Sequence, residues 1–357
     1  MGLDQWLRNA KEMDASDLYI KAAAPPTMRI YNQLVPIDHA PLTPPEMEAI
    51  ALSIMSEAQK RVFARDLQVN LAYWRPELGR YRVNIYWQKE TIAAVFRNVK
   101  PIIPSFEELR LPKLLAGLSL ERRGLILVTG AAGTGKSTTM AAIIDYRNRN
   151  MSGHIVTIED PIEFLHEDQM SLVSQREIGI DANSYSDALK DGLRQTPDVI
   201  VIGEMRDYET VLAALHFAET GHLVLSTLHS SNTTAAVERL LSFYPPQARP
   251  QASTEIALSL KAVISQVLLP RQDGSGLILA TEVLINSPHM SDVIGKMNFN
   301  QIGTAIQRGT YDGMQTFDQS IYDLFSQGFI SADDAVANAQ SPSEMKLRFK
   351  GLLGKDY

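Results

Sequence analysis

The run Gly130-Ala131-Ala132-Gly133-Thr134-Gly135-Lys136-Ser137 constrains this chain more than any other stretch. It has the form G-x-x-x-x-G-K-[ST]. An apolar run at residues 125–128 precedes it, and Thr138-Thr139-Met140-Ala141-Ala142-Ile143-Ile144 follows with helical texture. Strand, glycine loop and helix in that order let successive backbone N–H groups turn inward around a polyphosphate at the positive end of the helix. The expected nucleotide-binding residues are therefore Gly130, Gly133, Thr134, Gly135, Lys136, Ser137 and Thr138. Lys136 is expected to reach the β- and γ-phosphates of ATP, and the Ser137 hydroxyl to ligate Mg²⁺. The plain alternative is a glycine-rich turn that holds nothing.

The surroundings of the loop predict an α/β architecture. Short apolar runs at 125–128, 155–158, 199–202 and 223–225 are separated by stretches long enough for crossover helices. Parallel strands buried on both faces read as such continuous runs. Each run ends in polar residues: Thr129 and the glycines, Glu159-Asp160, Gly203-Glu204, and Thr227 with His229. Open α/β sheets bind ligands beyond the carboxyl ends of their strands, so these clusters point at one site.

Residues up to about 100 have a different texture. Strand-like runs at 18–21, 28–31, 81–87 and 91–99, with a helix-like stretch after Thr43 and Pro44, predict a small mixed α/β domain. Pro101-Ile102-Ile103-Pro104 and the residues to 120 read as a connector. From about Asn286 the tail is helical, with amphipathic stretches at 318–325 and 333–339.

With 357 residues, 45% of them hydrophobic and 21% charged, the chain has room for two domains and is not of low complexity. It contains no cysteine, which excludes disulfides, thiol catalysis and cysteine-built metal sites. A net charge of −7 argues against a dedicated nucleic-acid binder. No segment reaches the roughly 18 apolar residues of a membrane span, and MGLDQWLRNAKEMDASD is not a signal peptide. The expectation is a cytoplasmic protein whose membrane association, if any, runs through a partner.

Hydrolysis of a bound nucleotide needs a carboxylate to orient or deprotonate water and others to hold hydrated Mg²⁺. Thr157-Ile158-Glu159-Asp160-Pro161-Ile162-Glu163 supplies Glu163 as candidate base, with Glu159 and Asp160 for the metal shell or the fold. In Pro197-Asp198-Val199-Ile200-Val201-Ile202-Gly203-Glu204 the carboxylate has Walker B form and is a candidate for Mg²⁺ through water. Base and metal roles stay open between Glu163 and Glu204. His222 and His229 bracket the fourth apolar run. The functional reading has His229 contacting the γ-phosphate and His222 linking the neighbouring carboxylates; the alternative for each is an ordinary structural or surface histidine.

Taken together, the glycine loop, TIEDPIEF (157–164), VIVIGEMRD (199–207) and TGHLVLSTLHS (220–230) resemble the secretion-superfamily ATPases that power type IV pili and type II secretion. SDLYIKAAAPPTMRI (16–30) and GRYRVNIY (79–86) resemble that family's first domain. The length and the lack of cysteine are similar to its shorter retraction ATPases, the PilT and PilU group. RNRNMSGHIVTIEDPIEFLH (147–166) and GMQTFDQSIYDLF (313–325) are PilU-like. Met290–Met297 stands where PilT has AIRNLIRE, without its arginines or glutamate.

The resemblance implies a PAS-like domain (1–100), a linker (101–120), a RecA-like P-loop NTPase domain with a parallel sheet (121–285) and a C-terminal helical region (286–357). It also implies a homo-hexameric ring motor at the inner-membrane face, hydrolysing ATP with Mg²⁺ to drive pilus retraction and twitching motility. The implied partners are a sibling PilT-type ATPase and an inner-membrane platform protein, with no nucleic acid. A guanidinium acting on a neighbouring subunit's nucleotide would come from Arg80 or Arg82, with Arg97, Arg194, Arg206 and Arg239 as further candidates. Two other functions remain open: a nucleotide-gated structural accessory of the sibling motor, or a RecA-like DNA translocase.

Overall fold

The computed structural model describes residues 2–30, 33–99 and 102–351. The chain forms two compact units. The first comprises Met1–Ile102 with Ile162–Leu165, the second Ile103–Pro161 with His166–Tyr357. The C-terminal helices thus belong to the second unit, and the segment carrying Glu163 belongs to the first. Tyr31 of the expected strand and Pro101 of the expected connector lie outside the described residues.

The first unit is built on six antiparallel strands: β1 (Asp17–Lys21), β2 (Thr27–Ile30), β3 (Gln33–Pro36), β4 (Gln68–Arg75), β5 (Gly79–Gln88) and β6 (Thr91–Asn98), in the order β3-β2-β1-β6-β5-β4. Alternation along β5 buries Tyr81, Val83 and Ile85, which leaves Arg80, Arg82 and Asn84 on the other face. Trp6 and Leu7 from the helix Leu3–Glu12, Met47 from Pro44–Ile54 and Phe63 from Glu57–Asp66 close the core over Leu18, Ile20 and Phe96. The helix after Thr43 starts as its sequence predicts, with proline in the first turn and Glu46 Oε2 accepting from the Thr43 backbone N–H at 2.7 Å.

The second unit carries seven strands: β7 (Gly124–Gly130), β8 (Gly153–Glu159), β9 (Ser171–Glu177), β10 (Val199–Ile202), β11 (Leu223–Leu228), β12 (Leu260–Pro270) and β13 (Leu277–Ile285). Their order is β13-β12-β7-β11-β10-β8-β9, parallel except for the antiparallel β12–β13 hairpin. The four apolar runs are β7, β8, β10 and β11, and both faces of β7 are buried. Leu125 and Leu127 face one core with helices Tyr185–Gly192, Tyr208–Glu219, Thr233–Ser242 and Arg249–Ser259. Ile126 and Val128 face another with helix Lys136–Asn150. The tail helices, among them Phe317–Ser326, Ala332–Asn338 and Pro342–Phe349, pack over the hairpin around Leu269, Ile278 and Ala280.

Two buried phenols make the first unit sensitive to alkali. Tyr81 donates to the Leu7 carbonyl at 3.1 Å and Tyr73 to Asp4 Oδ1 at 2.7 Å. Burial pushes each up to about 12, with the Asp4 hydrogen bond adding at Tyr73. Unfolded tyrosine ionises near ~10, so the folded unit holds these protons to higher pH than the unfolded chain does. That stability is whole below about pH 10 and is lost as pH rises toward about 12. Melting curves between about pH 9 and 12 should therefore show a falling Tm, and the fall should be shallower in a Tyr73→Phe/Tyr81→Phe variant; equal slopes would contradict this origin.

Candidate nucleotide site

Strand register brings the predicted polar clusters to one edge of the sheet. Ile202 at the end of β10 pairs with Ile158 of β8 and with Ser226 of β11, and Leu228 of β11 pairs with Thr129 of β7. The residues at and just beyond the strand ends, Glu159-Asp160, Gly203-Glu204, His229 and the glycine loop, therefore emerge side by side.

The loop needs its glycines for two different reasons. Gly130, Gly133 and Gly135 have φ of +149°, +80° and +86°, left-handed values that side chains disfavour. At Gly130 a Cβ would also lie 2.5 Å from Thr134 Oγ1 and 2.7 Å from the Gln266 carbonyl. Helix Lys136–Asn150 then starts, with Ser137 and Thr138 half-buried in its first turn. Thr134 Oγ1 closes the loop on itself by donating to the Ala131 carbonyl at 2.9 Å.

Lys136 Nζ donates to the carbonyls of Gly130 and Ala131, at 2.9 and 2.8 Å, and lies 3.4 Å from His229 Nδ1. An ammonium only donates, so Nδ1 is the accepting nitrogen and the proton sits on Nε2. Nε2 is 3.3 Å from Glu204 Oε1, placed to donate to it. The other oxygen of Glu204 accepts from Arg206 Nε at 2.8 Å, and Arg206 also reaches Asp160 at 3.3 Å. The hydrogen bond to Glu204 is the leading cause that holds the Arg206 guanidinium above its ordinary value. Lys136, His229, Glu204, Arg206 and Asp160 form one string of contacts across the strand ends.

Glu159 points elsewhere in the same layer, accepting from Thr157 Oγ1 at 2.6 Å and Gln175 Nε2 at 3.1 Å. Ser137 sits in the first turn after the loop, and Glu204 is connected to the loop through His229 and Lys136. Among the described residues no group of three His, Asp or Glu side chains forms a metal cage.

Not every expected residue joins this cluster. His222 precedes β11, and its carbonyl accepts from Gly124 N–H at the opposite end of β7 from the glycine loop. Its Nδ1 is 3.1 Å from the Phe217 carbonyl and its ring packs edge-on to Phe217. The expectation that His222 links the carboxylates therefore needs correcting: a residue before a parallel strand and one after it lie a strand length apart, and within this chain His222 ends a helix-to-strand turn. Arg194 pairs with Asp191 at 3.2 Å in the turn before β10, and the Arg239 guanidinium lies 4.7 Å over Phe243.

Glu163, Arg80, Arg82 and Arg97 belong to the first unit. There Arg82 stands directly opposite Arg97 in the β5–β6 register, and Arg97 donates to Asp17 at 2.8 Å. Arg97 is held above its ordinary value first by that bond, with the charge of exposed Glu163 acting in the same direction.

Two residues of the site went unnoticed in the sequence. The Tyr185 hydroxyl lies where a Cβ on Gly203 would meet it at 2.9 Å, so Gly203 is a close-approach glycine. Burial, then the charge of Asp160, pushes the Tyr185 phenol far up. No local pattern marks it. Gln266 of β12 donates to Thr139 Oγ1 of the loop helix at 2.6 Å, fully buried. A polar residue inside the apolar run 262–269 was its signal.

Comparison with known proteins bears on the family and the fold. The model of the family "Type II/IV secretion system protein" matches residues 103–320. The type IV pilus ATPase PilU of Pseudomonas aeruginosa is 43% identical over 98% of this chain and 92% of its own length. The pilus retraction ATPase PilT of the same organism is 38% identical over 96% and 99%. The crystal structure of the pilus retraction motor PilT with bound ADP superposes with a TM-score of 0.90 at 39% identity, covering 97% of this chain and 99% of that one. This chain therefore belongs to the Type II/IV secretion system protein family and, within it, to the group of ATPases that includes PilU and PilT.

Proposed function

We propose that the chain is a Mg²⁺-dependent ATPase of a type IV pilus retraction motor, working as a homo-hexameric ring on the cytoplasmic face of the inner membrane. The observation that carries the chemistry is the string from the glycine loop through Lys136 and His229 to Glu204. Gly130, Gly133, Thr134, Gly135 and the first turn of the helix, with Ser137 and Thr138, cradle the phosphates, and Lys136 meets the terminal ones. In this reading His229, whose ring lies 3.4 Å from Lys136 Nζ and 3.3 Å from Glu204 Oε1, registers whether a γ-phosphate is present. Glu204 or Glu163 orients the attacking water.

Ser137 and Glu204 fit Mg²⁺, a hard ion that binds through one or two protein oxygens and keeps waters and substrate phosphates. Bound there, Mg²⁺ supplies charge neutralisation on the phosphates. Arg80 and Arg82, on the outer face of β5, are the guanidiniums we assign to a neighbouring subunit's nucleotide. No helix among the described residues is long and apolar enough to cross a membrane.

One feature favours assistance to a sibling PilT-type motor over independent retraction. The helix Pro288–Gly295 presents no arginine, and Lys296 just after it is engaged by Asp292 at 2.8 Å.

Phosphate release by the purified protein tests the chemistry. Lys136→Ala should lose turnover by at least about 10²-fold with an unchanged circular dichroism spectrum, and Glu204→Gln should lose about 10²- to 10³-fold while still binding a fluorescent ATP analogue. Wild-type turnover in both variants would end the proposal. Chelation with EDTA should abolish turnover and added Mg²⁺ should restore it; activity that persists in EDTA would remove the metal from the scheme. Pilus retraction scored with and without the sibling motor separates the two roles, since vigorous retraction by this chain alone is incompatible with mere assistance.

A further inference from the structure

Glu282 is a carboxyl group in the middle of the apolar strand β13, with a residue exposure of only 5%. Its neighbours on the same face are Ala280, in the core under the tail helices, and Leu284, in the core under the sheet helices. An aliphatic side chain would serve packing better at that boundary, because a buried carboxyl is costly unless its oxygens are hydrogen-bonded.

They are bonded, and to two different parts of the fold. Oε1 accepts from both the backbone N–H and the hydroxyl of Thr233, at 2.8 and 2.7 Å. Thr233 opens the helix Thr233–Ser242, four residues after His229, and is itself fully buried. That helix already has an ordinary cap, since Asn232 Oδ1 accepts from Ala235 N–H at 2.8 Å. Oε2 accepts from Gln340 Nε2 at 3.3 Å. Gln340 lies between the last two tail helices, in a turn that buried Asp318 fixes by accepting from Gln340 N–H at 2.7 Å and Ser341 N–H at 3.0 Å.

We infer that Glu282 is a positioning residue for ATP turnover, one oxygen setting the segment that carries His229 and the other tying that segment to the C-terminal helices. The inference rests on the reading of His229 given above. Glu282 touches no part of the glycine loop; it acts through Thr233 on where His229 stands between Lys136 and Glu204. The tail helices thereby share a hydrogen-bonded path, through the Gln340 turn and Glu282, with the start of the helix that follows His229.

The test is steady-state ATP turnover of full-length His229→Ala, Glu282→Ala, Glu282→Gln, Thr233→Val and the Glu282→Ala/His229→Ala double variant, each checked by its melting temperature. Glu282→Ala should lower kcat about tenfold with KM for ATP within about twofold, because the phosphate cradle is untouched. Glu282→Gln should keep most of the activity, as its amide oxygen still accepts from Thr233. Thr233→Val should lower kcat about threefold, and it decides the matter if Glu282→Ala does not fold. The double variant should be no worse than His229→Ala alone. Folded Glu282→Ala or Thr233→Val at wild-type kcat, or losses that multiply in the double variant, would overturn the inference. Wild-type turnover in His229→Ala would instead overturn the reading of His229 on which it rests.

Discussion

The second unit depends on the burial of β7 from both sides. A strand whose Leu125 and Leu127 face one core and whose Ile126 and Val128 face the other cannot slip or tilt without exposing apolar surface on one face or the other. Its end is therefore a fixed point, and the glycine loop is attached to it. Neighbours in register transfer that fixity: β11 through Leu228 opposite Thr129, then β10 and β8. The polar residues of four strands share an edge because the hydrophobic cores leave their strands only one alignment.

Below the loop, polar side chains fasten elements that apolar packing alone would leave free to slide. Thr129 and Ser265 meet at 2.7 Å between β7 and β12, and Gln266 holds Thr139 of the loop helix. Hydrogen bonds between buried polar groups are directional. They set the helix against its strand at a defined height, which hydrophobic contact does not do. Glu282 belongs to the same class of device, at the meeting point of two cores.

Much of this was legible in the chain, for reasons that differ from element to element. The runs 125–128, 155–158, 199–202 and 223–225 announced parallel strands because both their faces are buried, and the glycine loop announced its own chemistry. β9 was illegible, since an edge strand carrying Ser174, Gln175 and Arg176 has no apolar face to advertise. β12 was hidden differently: it follows the helix Arg249–Ser259 with no intervening residue, and a continuous apolar run has no period that separates strand from helix. The site was readable where strand ends carry charge. It was misread at His222, although a histidine just before the fourth run must lie at the opposite end of that strand from His229, and it was silent at Tyr185, which arrives from a helix.

The two carbonyl bonds of Lys136 bear on selectivity. An ammonium already satisfied by Gly130 and Ala131 gives a ligand only the difference between a phosphate and those carbonyls. A nucleoside, with no anion to offer, gains nothing by drawing the lysine away. A polyphosphate gains the stronger, charge-assisted bond. On the proposed reading of the loop, a ligand would have to exceed a threshold of negative charge before the lysine turned to it, so discrimination among nucleotides would start with charge and not with the base.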